Sequence, residues 1–190
     1  MAHALTAARL LLALPFAAAM AGPEPGHGAW AALLLAAAVV TDVLDGPLAR
    51  RRGTASATGR LFDHAADALF VVSGLAGAAL RGAVPWALPV LVAAAFLQYV
   101  IDSYWLDGAG QLRPSRLGRV NGILYFAPLG ADVLVRLGLA PLRPWLVGLA
   151  WVLVASTVLS MGERLGRSLR ARRRGAPASP AGGTRGRPPR

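Results

Sequence analysis

The sequence lacks cysteine and lysine and has few acidic residues. Without cysteine the chain can form no disulfide and has no thiol nucleophile. All twenty basic residues are arginine, whereas Asp and Glu together number nine, and the net charge is +11. The missing lysine accompanies an abundance of Ala, Gly, Pro and Leu, which we attribute to a GC-rich coding bias and not to chemistry.

Charged residues of either sign are also scarce. They make up 15% of the 190 residues, against 55% hydrophobic residues and a mean hydropathy of +0.50, whereas soluble domains carry about 25% charged residues. No stretch alternates with a period of two, so helices are favoured over strands. The sequence therefore predicts an all-α polytopic membrane protein, a bundle of six transmembrane helices of spanning length: Ala4–Met20, Ala29–Leu48, Ala65–Leu80, Val84–Leu106, Val120–Leu137 and Leu142–Met161.

The distribution of arginine predicts the orientation of these spans. With the N-terminus in the cytoplasm, seventeen arginines fall on the inner side and only Arg81, Arg136 and Arg143 on the outer side. We therefore expect a multi-pass protein of the cell (inner) membrane with both termini in the cytoplasm. A cleaved signal peptide is an alternative for residues 1–21, because Arg9, an apolar run and Ala19-Met20-Ala21 fit that pattern. N-terminal sequencing that finds Gly22 first would establish it.

The chain is predicted to divide into a membrane domain, residues 1–165, and a basic tail, residues 166–190. The Pro, Gly and Arg of the tail offer little to bury, so disorder is expected there. Arginines that flank spans attract anionic lipid headgroups. No aromatic and basic residues interleave as in nucleic-acid binders, so membrane lipids and not nucleic acid are the expected partners.

Four aspartates lie where the second span ends and the third begins. Asp42 and Asp45 are spaced i,i+3, and Asp63 and Asp67 are spaced i,i+4, so each pair occupies one helical face. A short turn at residues 51–58 would bring the two faces together. Converging carboxylates repel one another, and a divalent cation resolves this repulsion; oxygen ligands suit Mg²⁺, Mn²⁺ or Ca²⁺.

Small residues and an arginine accompany the aspartates. Gly46, Ala49 and Gly59 leave space beside the carboxylates, and Arg50 can bind phosphate oxygens with two parallel hydrogen bonds. Carboxylates that hold two metal ions beside a phosphate are typical of phosphoryl displacement.

The complete pattern D-x2-D-G-x2-A-R-x8-G-x3-D-x3-D resembles the signature of the CDP-alcohol phosphotransferase (CDP-alcohol phosphatidyltransferase) family. Thr6-Ala7-Ala8-Arg9 is similar to the T-x-x-R of the family's first helix. The eight signature positions are all present with the family's gaps: Asp42, Asp45, Gly46, Ala49, Arg50, Gly59, Asp63 and Asp67.

The resemblance implies a reaction and roles for these residues. Family members take a CDP-linked lipid, usually CDP-diacylglycerol, and a hydroxyl acceptor, and release CMP. It implies two Mg²⁺ or Mn²⁺ ions, held by Asp42, Asp45 and Asp63, with Asp67 reaching them and serving as the general base. It also implies a homodimer and contacts to the CDP group from a further set of residues: Gly46, Ala49, Arg50, Gly59, Thr6 and Arg9.

The acceptor is left open by the sequence. Arg113, Arg116 and Arg119 precede the fifth span and suit a phosphorylated acceptor, with Asn121 as a further candidate and Asp102 as a partner for one of these arginines. Glycerol 3-phosphate is our first expectation. The alternatives are an inositol phosphate and phosphatidylglycerol, the latter as in a cardiolipin synthase.

A membrane transporter or channel whose aspartates bind a cation is an alternative of another class. It does not explain why Gly46, Ala49, Arg50 and Gly59 stand at fixed gaps.

Overall fold

The computed structural model describes residues 2–23, 25–52, 57–102 and 116–175. Within these ranges it describes side chains except those of residues 2–6, 25, 42–52, 57–60, 116 and 168–175. The side chains of most signature residues therefore lie outside the described set, whereas Asp63 and Asp67 lie inside it.

The described residues are helical and contain no strand, which confirms the predicted all-α class. Within the described residues each predicted apolar segment coincides with a helix or an interrupted helix; residues 103–106 of the fourth segment lie outside them. A single turn of 3₁₀-helix, Ala140–Leu142, precedes the last of seven α-helices: α1 (Ala2–Ala21), α2 (Pro25–Arg52), α3 (Ala57–Leu80), α4 (Ala87–Ile101), α5 (Arg116–Leu124), α6 (Phe126–Arg136) and α7 (Arg143–Gly175).

The fifth predicted span is divided between α5 and α6 at Tyr125. The amide of Tyr125 still donates to the carbonyl of Asn121 at 2.9 Å. Three residues later Pro128 has no amide hydrogen to donate to the carbonyl of Leu124, so the regular helical ladder is interrupted there. The predicted segment Val120–Leu137 is therefore helical but broken.

The close approach of α1 and α3 forms the centre of the bundle. Phe16 stacks on Phe70 with ring centroids 4.5 Å apart, and both rings are fully buried. A Cβ added at Gly77 would collide with the carbonyl oxygen of Ala17, so the backbones meet where only glycine fits. The hydroxyl of Ser73 donates to the carbonyl of Ala13 at 3.2 Å across the same interface. Small residues and interhelical hydrogen bonds of this kind join helices in membranes.

The exterior of the bundle is apolar and part of its interior is polar. Leu11, Leu14 and Trp145 are 77%, 79% and 76% exposed, as expected for side chains that face lipid. Within the described residues two helices are long and apolar enough to cross a membrane, Leu61–Leu80 and Ala140–Arg167, and three shorter apolar helices accompany them. These features support a membrane protein; six spans and the cytoplasmic location of both termini stay predictions.

The buried charged residues Arg9, Arg164 and Asp132 lie toward the two ends of the helices. Asp67 and Arg81 lie 14 positions apart along α3 and the residue that follows it, which corresponds to about 20 Å at 1.5 Å per residue. We refer to the end that contains Asp67 as the Asp67 end and to the end that contains Arg81 as the distal end. The signature aspartates belong to the Asp67 end.

Candidate active site at the Asp67 end

The best-defined contact of the site is an ion pair between Arg9 of α1 and Asp67 of α3. Nη1 of Arg9 donates a hydrogen bond to Oδ1 of Asp67. Arg9 is 5% exposed, while the side chain of Asp67 is 33% exposed. The guanidinium thus offsets the charge of a carboxylate inside an apolar bundle, and it leaves part of that carboxylate accessible. Two residues that the signature assigns to different roles are in direct contact.

The remaining aspartates are placed by the backbone of α2 and α3. Asp42 and Asp45 lie in the second half of α2, and Asp63 lies four residues before Asp67 in the first half of α3. Only residues 53–56 separate Arg52 from Ala57, and a chain of this length spans at most about 18 Å. The end of α2 and the start of α3 therefore lie at the same end of the bundle.

The donor chemistry of these residues fits a hard divalent cation. Asp63 is partly exposed, like Asp67, and the i,i+4 spacing places both carboxylates on one face of α3. Among the side chains that are described, no three carboxylate, histidine or cysteine groups come close enough to hold a metal. The side chains of Asp42 and Asp45 lie outside the described set, so the predicted set of four stays a prediction.

The other predicted binding residues are only partly described. Gly46, Ala49 and Arg50 lie in the last turns of α2 and Gly59 in the first turn of α3. Thr6 lies in α1 and Arg116 begins α5, but their side chains lie outside the described set, as does the whole of Arg113. Arg119 is exposed on α5. The side chains of Arg9, Asp63, Asp67 and Arg119 are therefore described, as are those of the further candidates Asn121 and Asp102.

A group of aromatic and cationic side chains surrounds the C-terminal end of α4. The guanidinium of Arg164 lies over the ring of Tyr99, 4.8 Å from its centroid, and His64 meets the same ring edge-on at 6.3 Å. A cation over an aromatic face is stabilised by the ring quadrupole. His64 is the neighbour of Asp63, so this group borders the acidic face of α3.

The importance of Arg164 was not anticipated from the sequence. In the sequence it counts only among the arginines of the inner side, but it is 9% exposed and packs inside the bundle. Asp102 lies within electrostatic reach of Arg164, and its pairing with an arginine before the fifth span stays a prediction, because Arg113 and the side chain of Arg116 lie outside the described set. One pattern could have indicated this: Thr157, Ser160 and Arg164 recur at helical spacing, and all three are buried on one face of α7.

Asn121 belongs to a polar cluster in the core between α5 and α7. Its Oδ1 accepts a hydrogen bond from Oγ of Ser156 at 2.7 Å, and its side chain is 2% exposed. One turn further, the hydroxyls of Tyr125 and Thr157 lie 2.8 Å apart. Interhelical polar contacts of this type hold membrane helices together. These contacts give Asn121 a part in helix packing, and its role in acceptor binding stays a prediction.

Comparison with known proteins agrees with the signature. A model of the CDP-alcohol phosphatidyltransferase family matches residues 1–161, and the chain belongs to this family. A probable phosphatidylglycerophosphate synthase of Mycobacterium tuberculosis is 29% identical over 175 residues, 90% of this chain and 82% of that protein. A cardiolipin synthase (CMP-forming) of Streptomyces coelicolor is 47% identical over 70 residues, 36% of this chain and 33% of that protein. No solved structure matches.

Family membership confirms the class that the signature predicts, a transferase of phospholipid biosynthesis. The match to the cardiolipin synthase is local and spans one third of that relative's length. The match to the probable phosphatidylglycerophosphate synthase covers most of both proteins. The two relatives are named for different activities, so similarity alone does not decide the acceptor of this chain.

Proposed function

We propose that this protein transfers the phosphatidyl group of CDP-diacylglycerol to the hydroxyl of glycerol 3-phosphate and releases CMP. The observation that carries this proposal is the complete eight-residue signature, divided between the end of α2 and the start of α3 within the family match. The probable phosphatidylglycerophosphate synthase that aligns with 90% of the chain supports the choice of acceptor.

The proposed reaction is a direct displacement at the phosphorus that bears the diacylglycerol. The acceptor oxygen forms a new bond to this phosphorus, and the bond from the phosphorus to the oxygen of CMP breaks. The proton of the acceptor hydroxyl passes to the carboxylate of Asp67. The pair with Arg9 supports this role, since it holds the carboxylate in one orientation through Oδ1 and leaves part of the side chain exposed to an acceptor.

The family resemblance and the donor chemistry assign Asp42, Asp45, Asp63 and Asp67 as the residues that would hold two divalent cations, Mg²⁺ or Mn²⁺. When bound, such ions stabilise negative charge on the phosphate oxygens. Arg50, with Gly46, Ala49 and Gly59 beside it, would bind the CDP group, and Thr6 would contact it from α1. Arg116 and Arg119 lie in the first turn of α5 and would bind the phosphate of the acceptor, together with Arg113.

Cardiolipin synthesis is the second candidate, because the similarity to the Streptomyces coelicolor protein is local but high, 47% over 70 residues. In that reaction the acceptor would be phosphatidylglycerol, a lipid without a terminal phosphate. The exposed arginine of α5, Arg119, favours the phosphorylated acceptor. An inositol phosphate has the same phosphate chemistry, so it belongs in the same comparison.

The proposal includes six membrane spans with both termini and the Asp67 end in the cytoplasm, and a homodimer as the family resemblance implies. The excess of arginine on that side, the apolar exterior and the two helices of spanning length support the arrangement in the membrane.

An acceptor panel tests the proposal. Purified protein is incubated with CDP-diacylglycerol, Mn²⁺ or Mg²⁺, and one of three acceptors: glycerol 3-phosphate, inositol 1-phosphate or phosphatidylglycerol. We expect CMP and phosphatidylglycerophosphate with glycerol 3-phosphate, identified by mass spectrometry of the lipid product. Cardiolipin as the sole product would replace the first candidate with the second. The absence of CMP with every acceptor would contradict the proposed activity.

A further inference from the structure

The distal end contains a small recess whose walls combine charged and apolar side chains. Its volume is about 70 Å³, well above the roughly 10–15 Å³ that one water requires. The recess thus has room for a group of several heavy atoms. It is about 20 Å from Asp67 along α3, and it is lined by Arg81, Asp132, Arg143, Ala83, Val135 and Leu146.

Positive charge exceeds negative charge around this recess. Arg81 donates from Nη2 to the buried carboxylate of Asp132, and Arg136 and Arg143 also lie within electrostatic reach of that carboxylate. Three guanidinium groups therefore face one carboxylate. The three arginines that the sequence assigns to the outer side are all members of this cluster.

Two of these arginines donate hydrogen bonds to backbone carbonyls, whereas within the described part of the chain the third donates none. Nε of Arg81 donates to the carbonyl of Met20 at 3.2 Å, and Arg136 donates to the carbonyls of Ala19 and Gly22 at 2.8 and 2.6 Å. Both thereby bind the last carbonyls of α1, where cations are favoured. Arg143 is exposed at the start of α7, and its side chain donates no hydrogen bond to the residues that the structure describes.

Exposed tryptophans place the recess at the level of lipid headgroups. Trp86 immediately precedes α4 and is 50% exposed, and Trp145 lies in the first turn of α7 beside Arg143 and is 76% exposed. Trp30, near the start of α2, is also exposed at this end. Tryptophan concentrates at membrane–water interfaces, which is the depth at which phospholipid phosphates lie.

We propose that the distal recess, with Arg143 as its principal donor, binds a phosphate group, and that an anionic phospholipid of the adjacent leaflet supplies it. The planar fork of a guanidinium matches two phosphate oxygens. The positive excess selects a net negative headgroup over a zwitterionic one. This binding site is separate from the Asp67 end and does not rest on the proposed reaction.

Native mass spectrometry and thermal unfolding of the full chain in detergent test this site. Phosphatidylglycerol, phosphatidylcholine and inorganic phosphate are the three probes, and Asp67→Asn protein is the common background so that turnover plays no part. Arg143→Gln is compared with Arg167→Gln, which removes the same charge from an exposed position of α7 at the opposite end. Arg143→Lys keeps the positive charge but lacks the planar guanidinium, which can donate two parallel hydrogen bonds to a phosphate.

We expect phosphatidylglycerol to stay bound in preference to phosphatidylcholine, with affinity about tenfold weaker in Arg143→Gln and unchanged in Arg167→Gln. Arg143→Lys should be intermediate. Stabilisation by inorganic phosphate that depends on Arg143, without preference among the lipids, would support the phosphate site and overturn its assignment to a lipid. Equal retention of both lipids in all variants, without an effect of phosphate, would overturn the site itself.

Discussion

Arg9 and Asp67 are 58 positions apart in the sequence and form an ion pair between α1 and α3. The pair joins the first helix directly to the acidic signature, so α1 is part of the site and not only a membrane anchor. It also explains how a carboxylate is retained in an apolar helix, since a charge at this depth is costly without a partner.

Removal of the guanidinium should impair both stability and activity. We expect Arg9→Gln to lower the melting temperature and to lower kcat tenfold or more, because Asp67 loses the partner that orients it. Arg9→Lys, which keeps the charge, should recover part of both. A double-mutant cycle with Asp67→Asn should show a combined loss of stability smaller than the sum. Strictly additive losses would contradict a direct interaction.

The contact of α1 with α3 should depend on Gly77. A methyl group at this position meets the carbonyl of Ala17, which cannot move without displacing α1. We expect Gly77→Ala to lower the free energy of unfolding by about 1–3 kcal/mol. Gly130→Ala on α6 is the matched control, since a Cβ there has nothing within 4 Å. Equal effects of the two substitutions on thermal unfolding would contradict the described packing.

Asn121 should affect stability and not acceptor affinity. Asn121→Ala leaves the hydroxyl of Ser156 without its acceptor, which should cost about 0.5–2 kcal/mol. Ser156→Ala removes the other partner of the same bond and should have a similar effect. The KM for the acceptor should be unchanged in both variants. A rise of this KM in Asn121→Ala but not in Ser156→Ala would contradict this prediction and indicate that Asn121 contacts the acceptor.

The absence of cysteine allows a direct test of orientation. We expect a membrane-impermeant maleimide to label Leu139→Cys, at the distal end, in intact cells, because the proposed orientation places the distal end outside. Arg167→Cys, at the other end of α7, should react only after the membrane is permeabilised. The unsubstituted chain, which has no cysteine, provides the background. The reverse labelling pattern would invert the proposed orientation.

The sequence was sufficient to predict the helical class and the approximate helix positions, because long apolar runs and arginine-rich ends are local signals. It also predicted that Arg9 and Asp67 belong to one site. It did not predict that they touch each other, since the packing of α1 on α3 depends on side chains such as Phe16, Phe70 and Gly77. A signature shows membership of a site and not the contacts within it.

Longer-range ionic contacts were the least predictable features. Asp102 lies within electrostatic reach of Arg164 of α7, a relation without a sequence signal, whereas Arg113 and the side chain of Arg116, two of its three predicted partners, lie outside the described set. The pair of Arg81 with Asp132 joins residues 51 positions apart and had no sequence signal. Such pairs depend on which helices become neighbours, and hydropathy carries little information on that choice.

CMP release from CDP-diacylglycerol and glycerol 3-phosphate by the Asp67→Asn variant tests the central claim most directly. Glu163→Gln, an exposed carboxylate-to-amide change on α7, is the matched control, and thermal unfolding verifies that both variants are folded. Loss of a general base should lower kcat by about 10²–10⁴-fold. We predict that loss for Asp67→Asn and wild-type turnover for Glu163→Gln. Wild-type turnover by folded Asp67→Asn protein would contradict the account.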